Sequence, residues 1–84
     1  MRARERILEY FRDLNPALFE GPVPVERLKL RRVLDSLQTL NFVLFLETEL
    51  GARLDDAEMM SDDVETIGGV IALVERKLAE KARP

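Results

Sequence analysis

The sequence predicts an all-α fold, a small four-helix bundle with three longer helices, one short helix and a long first loop. Three segments carry apolar residues at the three- and four-residue spacing of a helix face, and no segment alternates apolar and polar residues as a strand does. At 84 residues, the chain supports one modest core. Packing the helices against one another is the simplest way to bury their apolar faces.

The first helix is predicted over residues 2–14, and Pro16 ends it because proline disfavours helix in the residue before it. Its apolar residues share one face: Ile7, Leu8, Phe11 and Leu14. A long connection follows over residues 16–34. It holds many apolar residues, so we expect a packed loop with a helical turn near residues 26–32.

The second helix is predicted over residues 36–50, where Gly51 is suited to end it. Its core candidates are Phe42, Val43, Phe45, Leu46 and Leu50. A short third helix or turn is predicted over residues 55–60.

The last helix is predicted over residues 66–82, with Asp62 or Asp63 helping to start it. Gly68 and Gly69 weaken helix propensity in its first turn, which indicates either close backbone packing or a soft helix start.

Composition excludes several chemistries. The chain has no cysteine and no histidine, so it holds no disulfide, no thiolate and no Ser-His-Asp arrangement. Residues 35–74 hold nine acids and one arginine, a net charge of −8, which speaks against nucleic acid and favours basic protein surfaces as partners. No signal-peptide core or membrane-length apolar run is present. We expect a cytoplasmic monomer that does not bind membranes.

The acidic and basic side chains allow two further readings. For the acids of residues 55–65 we expect a solvated face rather than a metal site, because calcium-loop spacing is missing. Arg2, Arg4 and Arg6 are expected on an exposed helix face, compensated by Glu5 and Glu9, with binding to an anionic surface as the alternative.

Asp35-Ser36 stands directly before the second helix. A serine hydroxyl there is exposed near the positive end of the helix dipole, where a phosphate diester is well placed. The alternative is local: Asp35 caps the helix with Gln38 as its N3 partner, and Ser36 is an ordinary first residue. Both can hold together, because a capping Asp35 leaves the Ser36 hydroxyl pointing outwards.

Three stretches resemble the acyl carrier protein family, the phosphopantetheine-binding carriers. They are Asp35-Ser36-Leu37, Leu46–Leu50 at the end of the second helix, and Val64–Ile71 at the start of the last helix. The resemblance covers nearly the whole chain, including the order of helices and the long first loop. It implies one carrier domain over residues 1–84, and from Met1 and the short tails we expect a free-standing protein.

The resemblance implies that Ser36, between Asp35 and Leu37, carries a covalent 4′-phosphopantetheine arm from coenzyme A. A phosphopantetheinyl transferase with Mg²⁺ would bring the coenzyme. The serine hydroxyl would attack the β-phosphate and release 3′,5′-ADP, while Asp35 helps to orient the serine near the metal-bound phosphates. The arm's thiol would hold an acyl or aminoacyl group as a thioester. The chain itself is then not an enzyme.

Partners implied by the resemblance are the transferase, an acyl- or aminoacyl-activating ligase and downstream biosynthetic enzymes. We expect them to contact an exposed apolar strip of Leu37, Leu40 and Leu44, flanked by Gln38, Asn41 and Glu47. The alternative is that Leu40 and Leu44 are core. The arm's cargo could lie in a cavity lined by Leu28, Leu30, Phe42, Leu46, Leu54, Val64 and Ile71; the alternative is a filled core.

The chain also departs from the family pattern. Residues 32–34 replace a glycine that many members have before Asp-Ser, and Gln38 and Asn41 replace acids usual in fatty-acid synthesis. These differences favour a dedicated pathway with its own loading enzyme. The alternatives are an aminoacyl or peptidyl carrier, and an unmodified helical protein-interaction module.

Overall fold

The computed structural model describes residues 2–82 and confirms the all-α fold. The helices are α1 (Ala3–Leu14), α2 (Leu30–Val33), α3 (Ser36–Leu50), α4 (Asp56–Met59) and α5 (Ile67–Lys81). Short 3₁₀ turns occupy Pro16–Phe19, Val25–Arg27 and Asp62–Val64. The helical turn predicted near residues 26–32 is thus a 3₁₀ turn followed by α2. The structure therefore has five α-helices within the described residues, one more than predicted. Met1, Arg83 and Pro84, at the ends of the predicted domain, lie outside the described residues.

The three long helices contribute to one core. Ile7 and Phe11 of α1, Phe42 and Leu46 of α3, and several apolar residues of α5 are buried in a single cluster. Of the α3 core candidates, Phe42 and Leu46 are fully buried, whereas Val43, Phe45 and Leu50 are partly buried. None of the helices within residues 2–82 is long and apolar enough to cross a bilayer.

Aromatic side chains join α1 to α3. The ring of Phe42 lies 5.0 Å from that of Phe11 and 5.3 Å from that of Tyr10, measured between centroids. Tyr10 also lies 4.6 Å from Phe45. Offset and edge arrangements at such distances add to the stabilisation from burial alone. Burial also raises the pKa of the Tyr10 hydroxyl.

The loop before Ser36 is fixed to the start of α5 by backbone hydrogen bonds. The Leu30 amide donates to the Glu65 carbonyl at 2.9 Å, and the Ile67 amide donates to the Leu28 carbonyl at 3.1 Å. These bonds flank a short antiparallel bridge between Lys29 and Thr66. The loop is therefore packed, as its apolar residues predicted, and it holds α2 in place just ahead of α3.

The start of α5 differs from the prediction. Thr66 caps this helix, since its hydroxyl accepts a hydrogen bond from the Gly69 amide at 3.1 Å. Asp62 and Asp63 instead lie in the preceding 3₁₀ turn. A Cβ on Gly69 would overlap the carbonyl oxygen of Asp63. Close backbone packing thus explains this glycine.

The arginines of α1 also differ from the prediction. Arg4 pairs with Glu26 of the loop, and Arg6 lies 3.3 Å from Glu49 of α3. Glu5 and Glu9 take no part in these pairs, so the compensation proposed within the helix is wrong. The partners come from other elements because α1 lies against both of them.

Candidate functional site

The candidate site lies at the start of α3, where Asp35 and Gln38 form a reciprocal cap. A carboxylate oxygen of Asp35 accepts a hydrogen bond from the Gln38 amide at 2.8 Å. The Gln38 side-chain oxygen accepts one from the Asp35 amide at 3.0 Å. This confirms the local capping interpretation and fixes Ser36 as the first residue of the helix.

The side-chain hydroxyl of Ser36 differs from every other serine and threonine hydroxyl in the chain. Ser36 is exposed, and no hydrogen bond joins its hydroxyl to another group within residues 2–82. The other four each bond to a backbone group: Thr39 to the Asp35 carbonyl, Thr48 to the Leu44 carbonyl, Ser61 to the Glu58 carbonyl, and Thr66 to the Gly69 amide. Ser36 therefore presents an aliphatic hydroxyl that the fold does not use.

Ser36 lines a shallow depression of about 650 Å³. Its lining combines the end of the loop with the first turns of α3: Arg31, Leu34, Asp35, Ser36, Thr39 and Leu40. Arg31 is the cation of this lining and Asp35 is its anion. The Asp35 carboxylate is already engaged by the Gln38 amide.

This setting fits a phosphate diester on Ser36. The cap uses the amide of Gln38, and the Thr39 amide bonds to the Asp35 carbonyl, whereas the amides of Ser36 and Leu37 precede the first intrahelical hydrogen bonds. Free amides at the start of a 15-residue helix attract anions.

Within residues 2–82, no group of three or more acidic side chains is placed to hold a metal ion.

The apolar strip of Leu37, Leu40 and Leu44 is exposed along α3. Relative exposures are 68%, 68% and 55%, so the alternative in which Leu40 and Leu44 belong to the core is wrong. Leucines this exposed, in a row on one helix, indicate a contact surface. Asn41 and Glu47 are exposed beside the strip, whereas Gln38 is half-buried by its role in the cap.

The cavity proposed from the sequence is not found among those residues. Phe42 and Leu46 have no exposed surface, and Ile71 has 1%. Their side chains fill the core. An open groove of about 310 Å³ lies nearer the surface instead, and of the proposed lining it includes only Leu30 and Val64. Its other lining residues are Arg31, Thr39, Met59, Met60, Ser61, Asp62 and Glu65.

Three residues around the site were missed by the sequence reasoning. Arg31 and Thr39 line both the depression at Ser36 and the groove. Met60 is 88% exposed and lines the groove. Thr39 was detectable, because it lies one helical turn after Ser36. Arg31 and Met60 depend on how the loop and α4 pack against α3, which no local pattern shows.

The chain is thus an all-α domain that presents a free serine at a helix start, beside an exposed apolar strip. Over 44 residues the chain is 34% identical to the acyl carrier protein of Thermotoga maritima. The match covers 52% of this chain and 52% of that protein, so it spans about half of the relative's length. No family model matches the chain, and no solved structure matches it significantly. The match supports the acyl carrier protein family.

Proposed function

We propose that this chain is a carrier protein that holds an acyl or aminoacyl group as a thioester on a 4′-phosphopantetheine arm attached to Ser36. The observation that carries the proposal is the unused hydroxyl of Ser36, the first residue of α3, among five serine and threonine hydroxyls. The partial match to an acyl carrier protein supports the same role. When bound, the arm supplies the thiol that this cysteine-free chain lacks.

Each part of the site has a distinct task in this proposal. Ser36 offers the hydroxyl for attachment, and Asp35 fixes the helix start so that the hydroxyl faces solvent. Leu37 and the rest of the apolar strip provide contact area for the transferase, the loading ligase and the downstream enzymes. The chain performs no catalytic step: it supplies the Ser36 hydroxyl that accepts the arm, and the catalytic groups belong to its partners.

The test is the intact mass of the protein before and after incubation with coenzyme A, Mg²⁺ and a promiscuous phosphopantetheinyl transferase. We expect a gain of one phosphopantetheine group, mapped by peptide fragmentation to Ser36. Ser36→Ala should abolish the gain and keep the fold, since this side chain makes no hydrogen bond within residues 2–82. Ser61→Ala is the matched control, because Ser61 is the other serine and its hydroxyl bonds to the Glu58 carbonyl.

The choice between acyl and aminoacyl cargo follows from a second assay. The carrier with its phosphopantetheine arm attached, but without cargo, is offered to acyl-activating and aminoacyl-activating ligases in competition. The thioester that forms is identified by mass. Loading of the Ser36→Ala variant, or the absence of loading on folded wild-type protein with several transferases, would contradict the proposal.

The second candidate function is an unmodified helical interaction module. The exposed Leu37, Leu40 and Leu44 favour it, because such a strip also suits a partner helix or a dimer. This candidate predicts no mass gain, together with self-association or partner binding that Leu40→Ala weakens. Sedimentation of wild-type and variant proteins distinguishes it from a monomeric carrier.

A further inference from the structure

Arg31 is a cation beside Ser36 with no task in the fold described so far. It is exposed on α2 and, like its neighbour Arg32, forms no ion pair within residues 2–82. Five other cations each have a carboxylate partner: Arg4, Arg6, Lys29, Arg76 and Lys77. Arg31 lines the same depression as Ser36.

The backbone around Arg31 is held firmly. Leu30, the preceding residue, is 5% exposed, and its amide donates to the Glu65 carbonyl at 2.9 Å. The Leu34 amide donates to the Leu30 carbonyl at 2.9 Å, and Leu34 is 4% exposed. The short helix is thus anchored at both ends, so the base of the Arg31 side chain keeps a defined position relative to Ser36.

The charges facing Arg31 leave it available to an anion. Asp35 lies in the same depression, but its carboxylate accepts the Gln38 amide. In the adjoining groove, Glu65 lies 3.7 Å from Lys29, and Asp62 lies in the 3₁₀ turn before α5. Arg32, the next residue of α2, is also exposed but does not line the depression.

We propose that Arg31 is the anion-binding residue of this site and contacts the phosphate diester that joins Ser36 to the arm. The proposal rests on the proposed function, because the diester exists only once Ser36 is loaded. A guanidinium suits the task, since its planar set of N–H donors matches two phosphate oxygens. Arg31 would hold the base of the arm against the start of α3 and limit the directions in which the arm leaves.

The first test compares the melting temperatures of the unloaded and loaded forms of three proteins: wild type, Arg31→Gln and the matched control Arg32→Gln. We expect loading to raise Tm in wild type and in Arg32→Gln. In Arg31→Gln this gain should be smaller by about 1–4 °C at low salt, as for a partly exposed charge pair in a domain of this size. Phosphorus NMR of the loaded proteins should show a shifted diester resonance in Arg31→Gln alone.

A second test needs no loading. Ser36→Glu places a carboxylate at the same helix position, and its effect on Tm is measured with and without Arg31→Gln, in a double-mutant cycle with Arg32→Gln as control. We expect coupling with Arg31 that 0.5 M salt weakens. Equal loading gains in wild type and Arg31→Gln, an unmoved phosphorus resonance, or coupling equally strong with Arg32 would overturn the inference. Failure of Ser36 to gain mass would instead contradict the proposed function, while the Ser36→Glu cycle still reports on Arg31.

Discussion

The ammonium group of Lys77 lies 2.6 Å from a carboxylate oxygen of Glu58 and joins α5 to α4. The other carboxylate oxygen of Glu58 accepts the Asp55 amide at 3.1 Å, in the cap that starts α4. The bond to Lys77, followed by that to Asp55, lowers the pKa of Glu58 below its ordinary value of 4.5. One side chain therefore holds α4 to α5 and fixes the start of α4.

This ion pair predicts a pH-dependent stability. Because the pKa of Glu58 is lower in the folded state, its stabilisation is fully present above pH 4.5 and is lost as the pH falls through the lowered pKa. We expect Lys77→Met to lower Tm slightly at pH 7, and the difference from wild type to shrink once Glu58 is protonated. On a Glu58→Gln background the same substitution should change little. A Tm difference that is constant from pH 7 to pH 3 would contradict the assignment.

A methyl group at Gly69 should disturb the start of α5. Gly69→Ala places a Cβ against the Asp63 carbonyl, so the backbone must shift, at a cost of about 1–3 kcal/mol in the free energy of unfolding. Gly21→Ala is the control, since a Cβ there meets no atom within 4 Å and should stabilise by up to about 1 kcal/mol. Urea unfolding of both variants measures the contrast, and equal stabilities would show that the close approach at Gly69 relaxes freely.

Substitutions at two neighbouring positions of α3, Phe42 and Leu40, should distinguish a residue that stabilises the fold from one that contacts partners. Phe42 is fully buried between Phe11 and Tyr10, so Phe42→Leu should lower the free energy of unfolding by about 1–3 kcal/mol. Leu40 is 68% exposed, so Leu40→Ala should change it by less than about 0.5 kcal/mol.

The same Leu40→Ala variant should load about 10-fold more slowly, because it removes apolar area from the proposed contact strip. The initial rate of the mass gain at low carrier concentration measures this effect. If Leu40→Ala loads at the wild-type rate but has a lower free energy of unfolding, Leu40 stabilises the fold and does not contact the transferase.

Asp35 should have two separable roles. Asp35→Ala removes the cap and should cost about 1 kcal/mol, whereas Asp35→Asn keeps a capping oxygen and should cost little. If the carboxylate charge also serves the transferase, both variants load about 10–100-fold more slowly, the loss expected for a hydrogen bond to a charged group. Thermal unfolding and initial loading rates, measured on the same samples, check this. If Asp35→Asn loads at the wild-type rate, the carboxylate charge is not needed for loading and Asp35 serves only to cap α3.

Local signals predicted much of this fold. The bounds of α3 follow from Asp35, Gln38 and the left-handed Gly51 (φ 72°), all within a turn of the helix ends, so the prediction of residues 36–50 is confirmed. The identity of Ser36 as a helix-start residue needed nothing beyond these neighbours. Helical spacing placed Leu37, Leu40 and Leu44 on one face of α3, whereas the choice between exposure and core for Leu40 and Leu44 needed the structure.

Features set by distant parts of the chain were not predicted. Thr66 caps α5 because the backbone on either side of it is hydrogen-bonded to residues next to Lys29. This pairing fixes where the helix starts, so Asp62 and Asp63 lie too early in the chain to cap it. The partners of Arg4 and Arg6 come from residues more than 20 positions away. The surface groove likewise depends on how α4 and its flanking turns lie against α3, which explains why the sequence left a cavity and a filled core as alternatives and did not locate the groove.

The bridge between Lys29 and Thr66 also sets an order of events during synthesis. A ribosome adds Thr66 thirty residues after Ser36, so the serine emerges while the segment that anchors its preceding loop is still unmade or inside the exit tunnel. The Asp-Ser-Leu sequence of the nascent chain is therefore accessible well before the surface around it is assembled. An enzyme that recognises the assembled surface must wait until α5 has left the ribosomal exit tunnel. An enzyme that recognises the tripeptide alone can act during translation.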